Sequence, residues 1–257
     1  MVEQLFMELS ELPEVEAIAL GGSRAGKNYD EKSDYDVYLY CKSDVPKDAR
    51  IRILSKYCSR MEIGNHFWEY EDNCTLNDGV DIDILYRNLD DFANDVASVV
   101  EAYQAGNGYT TCMWHNLNTC KVIYDRDGRL EAAKMRFDVP YPQQLKKNII
   151  DRNMQLLHTA MPAYELQIAK AVRRNDLVSI NHRVAAFMES YFDVIFAVNE
   201  LTHPGEKRLM QLCKENCRIL PANFEENLNK LFDDLYVHKD VVAEDLADII
   251  ERLQEIL

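Results

Sequence analysis

The chain contains 257 residues, 47% of them hydrophobic and 28% charged, and its formal net charge at pH 7 is −15. This hydrophobic content excludes a disordered chain, and the acidic balance argues against a protein that binds nucleic acid mainly through phosphate contacts. The seven cysteines are scattered without a Cys-x-x-Cys pair, which predicts buried thiols in a reducing compartment. No basic, apolar leader and no apolar run of roughly 20 residues is present, so we expect a soluble cytoplasmic protein without a membrane partner.

The first half of the chain alternates helical and strand-like segments. Helical spacing of apolar residues and period-two alternation distinguish the two types. The segments predicted as strands are 15–20, 34–41 and 79–87, and those predicted as helices are 2–11, 48–61 and 89–104. Residues 66–76 are ambiguous, with a strand followed by a loop as the favoured interpretation. Residues 119–133 contain a strand, a turn and the start of a helix.

The second half of the chain changes to a helical period in almost every segment. The change follows the stretch from Pro140 to Pro142, which we take as the domain boundary. The predicted domains are residues 1–139, with a small mixed sheet flanked by helices, and residues 140–257, an all-helical bundle. The predicted fold class is therefore α+β with a C-terminal helical domain.

Two of the predicted strands carry a pair of aspartates each. Residues two apart on a strand point to the same face, so Asp34 shares a face with Asp36, and Asp81 shares one with Asp83. If the two strands are neighbours, the carboxylates repel one another, and a divalent cation resolves that conflict. Mg²⁺ prefers such oxygen ligands together with substrate phosphates, and two ions can serve phosphate transfer. The alternative is the solvated face of an edge strand.

A turn of small residues comes just before the first aspartate pair. Gly21 and Gly22 let the backbone approach a ligand closely, and the Ser23 hydroxyl offers a hydrogen bond to a phosphate. Arg24 or Lys27 would add positive charge. Most turns of this composition are ordinary loops. The phosphate-binding interpretation gains its weight from the aspartates that follow in an apolar strand.

The segment from Leu20 to Tyr40 has the sequence LGGSRAGKNYDEKSDYDVYLY. It closely resembles the signature of the polymerase-β-like nucleotidyltransferase superfamily, in which Gly-Ser is followed by a strand that bears Asp-x-Asp. The Ser-Arg-Ala-Gly continuation and the segments VDIDILYRNLDDF and KVIYDRDGRL are similar to the branch that contains bacterial lincosamide and aminoglycoside nucleotidyltransferases. The resemblance is specific in the N-terminal part and loose in the helical half, where it involves VNELTHPGEKRLM.

The resemblance implies roles for residues of the turn and the first aspartate pair. Gly22 and Ser23 match the pair that binds the triphosphate of a nucleoside triphosphate. Asp34 and Asp36 match the Mg²⁺ ligands. Arg24 is a further candidate for phosphate binding, and a solvated loop arginine is the alternative.

The third carboxylate and a distant cation are less closely defined by the resemblance. Asp83 is the better match for the third carboxylate, which in the family joins the metal shell or acts as general base, and Asp81 is the alternative. Lys207, predicted to open a helix together with Arg208, is a candidate phosphate contact or an ordinary surface cation.

The expected activity is Mg²⁺-dependent transfer of a nucleoside monophosphate, AMP from ATP, onto a hydroxyl of a small molecule that resembles an aminoglycoside or a lincosamide. One alternative acceptor is a side chain of a partner protein, as in nucleotidyltransferase antitoxins. Another is RNA, against which the net charge of −15 counts. A non-catalytic nucleotide-binding module is the remaining alternative, although the complete set of aspartates argues against it.

Several other residues are predicted to be structural. Glu189 and Asp193 lie one helical turn apart, and we expect a solvated helix face there rather than a site for a cationic acceptor. Trp68 is predicted to be a half-buried core ring rather than a ring that stacks on a base. For Arg87, which ends the third predicted strand, a structural role is favoured over a phosphate contact.

Overall fold

The computed structural model describes residues 1–26, 33–67 and 69–257. Lys27 and Trp68, for which the sequence suggests a phosphate contact and a core position, lie outside the described residues. Within the ranges given, no helix is both long enough and apolar enough to cross a membrane.

The described residues form one mixed sheet of six strands. The strands are β1 Val15–Leu20, β2 Tyr35–Cys41, β3 Cys58–Asn65, β4 Glu71–Leu76, β5 Asp81–Arg87 and β6 Lys121–Asp125. Their order across the sheet is β3-β4-β5-β2-β1-β6. The central pair β2–β5 is parallel, and the other neighbours are antiparallel. The α+β fold class predicted from the sequence is confirmed.

Some of the helices alternate with the strands along the chain, and the others form a purely helical region. Those in the first half of the chain are α1 Val2–Ser10, α2 Gly22–Ala25, α3 Lys47–Leu54, α4 Leu89–Val100, α5 Cys112–Thr119 and α6 Arg129–Phe137. Those in the second half are α7 Gln143–Met154, α8 Tyr164–Arg173, α9 Leu177–Val198, α10 Leu209–Asn216, α11 Phe224–Val237 and α12 Val242–Gln254. A π-helical turn, Gln155–Thr159, directly follows α7.

The chain forms two compact units. The first comprises Met1–Ala97 and Asn116–Val139, and the second comprises Ser98–His115 and Pro140–Leu257. Residues 98–115 fall in the first of the two domains predicted from the sequence, yet they belong to the second compact unit.

One face of the sheet is the apolar core of the first unit. Ile18 of β1, Val37 of β2 and Ile82 of β5 are fully buried there and pack with Leu5 of α1 and Leu54 of α3. This burial explains why residue types alternate along the strands, because the side chains of adjacent residues in a strand point to opposite faces of the sheet. The aspartates of β2 and β5 therefore project from the face opposite this core.

The prediction of a continuous helix over residues 48–61 is wrong in its second half. The helix α3 ends at Leu54, and β3 begins at Cys58. From Cys58 onward the backbone pairs with β4 in an antiparallel ladder. Pairing with a neighbouring strand overrides a local helical preference, which is a weak determinant by itself.

The second unit is built around the long helix α9. Asp176 caps its N-terminus, because the side chain accepts a hydrogen bond from the Ser179 N–H at 3.0 Å. From Ser190 to Val198 every residue of α9 is buried. Residues on α8, α11 and α12 complete the core around it, among them Ile168, Leu228 and Ile249.

Candidate active site

The central feature of the candidate site is a pair of aspartates on neighbouring strands. In the parallel ladder of β2 and β5, Asp36 is the direct partner of Asp83. Neighbouring strands lie about 4.8 Å apart, and register partners in a ladder project from the same face. Both residues are half-buried near the beginning of their strands. The fold therefore brings together the two carboxylates that the sequence places on separate strands.

The turn that follows β1 lies against Asp36. The Gly21 N–H donates a hydrogen bond to the Asp36 carbonyl oxygen at 2.8 Å. Gly22 has a φ of +56°, and a Cβ atom at this position would lie 1.8 Å from Oδ2 of Asp36. Only glycine combines that backbone conformation with such close approach to the carboxylate. Ser23 follows in the single-turn helix α2 and is half-buried.

Asp34 and Asp81 occupy more exposed positions. Asp34 is exposed and lies one residue before β2 begins. Asp81 is the exposed first residue of β5, and its Oδ1 accepts a hydrogen bond from the Thr75 hydroxyl at 2.8 Å. The ladder pairs Asp83, and not Asp81, with Asp36.

The donor set fits a hard divalent cation, although it is not gathered into a complete cage. Within residues 1–26, 33–67 and 69–257, no three His, Cys, Asp or Glu side chains are grouped so as to hold a metal ion. The repulsion between carboxylates opposes closer approach unless a cation offsets it. Asp36 and Asp83 suit Mg²⁺, which is usually held by one or two carboxylates plus substrate phosphates. The metal role of Asp34 stays a prediction.

Arg24 lies against the Tyr35 ring. Its guanidinium carbon is 3.7 Å from the centroid of that ring, and its Nε donates a hydrogen bond to the Ser33 carbonyl at 2.6 Å. Tyr35 precedes Asp36 and so points to the opposite face of the sheet. Arg24 and Tyr35 line a groove of about 480 Å³ together with Phe6 and Lys121. The phosphate contact predicted for Arg24 stays a prediction.

Lys207 lies in the second compact unit. It is exposed and sits in a turn, since α10 begins two residues later at Leu209. The helix that the sequence predicts to begin at Lys207 thus starts slightly later. The phosphate contact predicted for Lys207 stays a prediction.

Arg87 organises the far end of the same sheet face. Its side chain donates two hydrogen bonds to the Glu69 carboxylate, at 2.7 and 2.8 Å, and a third to the Asn116 amide oxygen at 3.2 Å. The guanidinium carbon also lies 4.2 Å from the centroid of the Tyr38 ring. Burial raises the pKa of the Tyr38 hydroxyl, and the nearby Arg87 charge opposes that shift. These contacts give Arg87 a structural role in this face.

Residues of β4 complete the face, and the sequence interpretation missed them. Asn73 lies opposite Asp83 in the antiparallel ladder, and its amide donates a hydrogen bond to Asp83 Oδ1 at 2.8 Å. Glu71 is only 7% exposed, and burial raises the pKa of its carboxyl, with the negative charge of Asp83 adding to the shift. The sequence signal for this strand is short, because half-buried polar residues alternate with buried apolar ones only over residues 73–76, and Glu71 and Asp72 before them are both charged and buried.

The solvated helix face predicted around Asp193 is wrong for that residue. Asp193 is only 1% exposed, and its carboxylate accepts hydrogen bonds from the Thr110 N–H and hydroxyl and from the Asn153 amide. Burial raises the pKa of Asp193 to about 6. Gly108 lets the chain contact α9 closely, since a Cβ atom there would lie 2.7 Å from Glu189 Cβ. The segment before α5 therefore covers this part of α9.

Comparisons with known proteins give a family match over part of the chain. The family described as "Domain of unknown function (DUF4037)" matches residues 110–209. The matched range contains Thr110, Asp193 and Lys207, and it excludes the aspartates of β2 and β5. No curated protein matches the chain.

Two solved structures are among those similar to this chain. A nucleotidyltransferase-like protein from Exiguobacterium sibiricum 255-15 matches with 10% sequence identity and a TM-score of 0.44, covering 100% of this chain and 74% of that one. An aminoglycoside 6-adenyltransferase from Bacillus subtilis matches with 11% identity and a TM-score of 0.31, covering 100% of this chain and 89% of that one.

Proposed function

We propose that this chain is a nucleotidyltransferase that moves a nucleoside monophosphate from a nucleoside triphosphate to a hydroxyl of a small molecule. The observation that carries the proposal is the pairing of Asp36 with Asp83 beside a glycine turn that a side chain would block. Two carboxylates in register are costly unless a cation or a proton offsets their charge. The Gly-Ser and Asp-x-Asp motif of the sequence supports the same activity, and ATP is the donor that we propose.

Asp36 and Asp83 would hold Mg²⁺, with Asp34 as a further ligand and two ions as the proposed number. When bound, Mg²⁺ supplies charge that binds the triphosphate and stabilises the departing pyrophosphate. The exposed backbone at Gly22 and the Ser23 hydroxyl contact the phosphates. Asp83 also orients the acceptor hydroxyl or accepts its proton as that oxygen attacks the α-phosphorus. Catalysis by these residues rests on positioning and on fixed charges.

The experiment that tests the proposal measures transfer directly. Purified protein is incubated with Mg²⁺, each of the four labelled nucleoside triphosphates and a panel of hydroxyl-bearing acceptors that includes aminoglycosides and lincosamides. The expected result is an acceptor whose mass increases by one nucleoside monophosphate, with release of pyrophosphate. The resemblance of the motif is the reason for choosing those antibiotics.

A matched variant makes the test specific to the site. Asp36→Asn keeps the size of the side chain and removes its charge, so transfer should fall to the background level. Unchanged transfer by Asp36→Asn would contradict the proposed role of this residue. If no acceptor of the panel gains mass but a partner protein added to the reaction becomes labelled, the nucleotidyl transfer holds and the small-molecule acceptor is wrong.

A further inference from the structure

Every second rung of the β4–β5 ladder, on the face of the candidate site, carries a side-chain hydrogen bond. Thr75 donates to Asp81 at 2.8 Å, and two rungs further Asn73 donates to Asp83 at 2.8 Å. The two rungs have the same geometry of donor on β4 and carboxylate on β5. Of these two rungs, only the one formed by Asn73 and Asp83 involves the aspartate that faces Asp36.

The orientation of the Asn73 amide follows from its other contacts. The Phe67 N–H can only donate, and it lies 2.8 Å from Asn65 Oδ1. The other end of the Asn65 amide is therefore Nδ2, which donates to Asn73 Oδ1 at 2.9 Å. Consequently the Asn73 Nδ2 group faces Asp83 Oδ1. The series of hydrogen bonds that begins at the Phe67 N–H thus fixes the positions of the oxygen and the nitrogen in both side-chain amides.

We propose that Asn73 is a positioning residue of the site, held by Asn65, which fixes the Asp83 carboxylate in the orientation that binds the divalent cation. The hydrogen bond engages Oδ1 of Asp83, so that Oδ2 is the oxygen offered to the cation. The Asn73 Nδ2 group can only donate, so the Asp83 carboxylate is the acceptor of this hydrogen bond. The inference rests on the proposed function, which gives the reason for binding a cation. Cation binding itself can be measured without any acceptor.

The chain itself suggests variants that remove and restore a donor opposite Asp83. Thr75 shows that a threonine on β4 can donate to an aspartate on β5. Asn73→Thr should therefore restore a donor opposite Asp83, whereas Asn73→Val has nearly the same shape and no donor. Thr75→Val removes the equivalent bond two rungs away and serves as the control. All three variants place a β-branched residue on the strand, which strands accommodate well.

The experiment titrates Mn²⁺ alone into each variant and measures free Mn²⁺ by electron paramagnetic resonance. Partners that orient metal ligands typically contribute about 10- to 100-fold to metal affinity or activity. We expect a loss in that range for Asn73→Val, substantial recovery for Asn73→Thr and wild-type affinity for Thr75→Val. In an Asp83→Asn background, Asn73→Val should produce no further loss, because the two residues act as one unit.

Two outcomes would overturn the inference by itself. One is wild-type Mn²⁺ affinity in Asn73→Val while Asp36→Asn and Asp83→Asn lose binding. The other is an equal loss in Asn73→Thr and Asn73→Val, which would indicate a merely structural role for the amide. If instead Asp36→Asn and Asp83→Asn both bind Mn²⁺ like the wild type, the cation site is absent and the proposed function fails with the inference.

Discussion

Asp36 and Asp83 come from distant parts of the chain and are direct partners in the parallel pair at the centre of the sheet. The positions next to them, Val37 and Ile84, are fully buried on the opposite face. Burial of that face fixes the register, because a slip of one residue would turn every side chain of a strand over. The apolar core of the first unit thereby determines that these two carboxylates meet.

The first prediction concerns the close approach at Gly22. Gly22→Ala should lower nucleotidyl transfer by about 100-fold, because a Cβ atom 1.8 Å from Asp36 Oδ2 must displace the carboxylate. The positive φ of this position should also cost about 1–2 kcal/mol of folding free energy. Steady-state kinetics and thermal unfolding measure the two effects separately.

Gly79 provides a control with the same backbone demand. Its φ is +87°, and a Cβ atom there would meet nothing within 4 Å. Gly79→Ala should therefore lose a similar amount of stability and retain transfer. Equal loss of transfer in both variants would show that the effect comes from general destabilisation and not from the contact with Asp36.

The second prediction distinguishes the two aspartates of β5. Asp83→Asn should reduce turnover by about 100-fold, since its charge lies opposite Asp36 and acts on the reacting groups. Asp81→Asn should leave turnover close to the wild-type value, because Asp81 is exposed and bonded to Thr75. Turnover numbers at saturating nucleotide and Mg²⁺ test the pair. The reverse ranking would assign the third carboxylate to Asp81.

The sequence predicts the strands β1 and β2, whereas it does not predict the contribution of β4 to the site. The sequence predicts strands over residues 15–20 and 34–41, and β1 and β2 occupy these positions nearly residue for residue. The sequence does not single out Asn73, because polar and apolar residues around it alternate only over residues 73–76. A pattern that short predicts a strand weakly, and pairing with β5 is what gives Asn73 its contact with Asp83.

The third prediction concerns the buried ion pair of Arg50 and Asp72. Their side chains are 3% and 0% exposed and approach to 2.7 Å. Arg50→Met should lower the free energy of unfolding by about 3–5 kcal/mol, because the Asp72 carboxylate stays buried without a countercharge. Denaturant unfolding measures the change.

An exposed ion pair of the same unit gives the comparison. Lys42 and Asp127 approach to 3.4 Å with side chains 50% and 56% exposed. Lys42→Met should change the free energy of unfolding by about 0–1 kcal/mol, since solvent screens the pair. If Arg50→Met lowers the free energy of unfolding no more than Lys42→Met does, burial does not have the role assigned to it.

The fourth prediction follows from the raised pKa of Asp193. Burial raises that pKa from its ordinary value of 3.8 to about 6, so the folded state holds a proton that the unfolded state has released. The stability that this proton contributes is complete below about pH 4 and is lost as pH rises through 6. Over this window the free energy of unfolding should fall by roughly 2–3 kcal/mol on account of Asp193.

Comparison with Asp193→Asn isolates this contribution. The Asp193→Asn variant has no charge to bury at this position, so its free energy of unfolding should lack this component of the pH dependence. Other carboxyl groups titrate equally in both proteins. The difference in unfolding free energy between wild type and variant should therefore shift in favour of the variant from pH 4 to pH 6. A constant difference across that range would show that Asp193 keeps its ordinary pKa.

Sequence patterns predict which residues share a face of β2 and of β5, where a glycine turn precedes the aspartates, and that the second half of the chain is largely helical. These are local properties, fixed by the two-residue period of a strand and the roughly 3.6-residue period of a helix. Three features become visible when the chain is folded: β2 and β5 are neighbours, Asp83 faces Asp36, and Asp193 is buried against Thr110. Strand register and burial depend on hydrogen bonds and packing between segments far apart in the chain, and no local period encodes them.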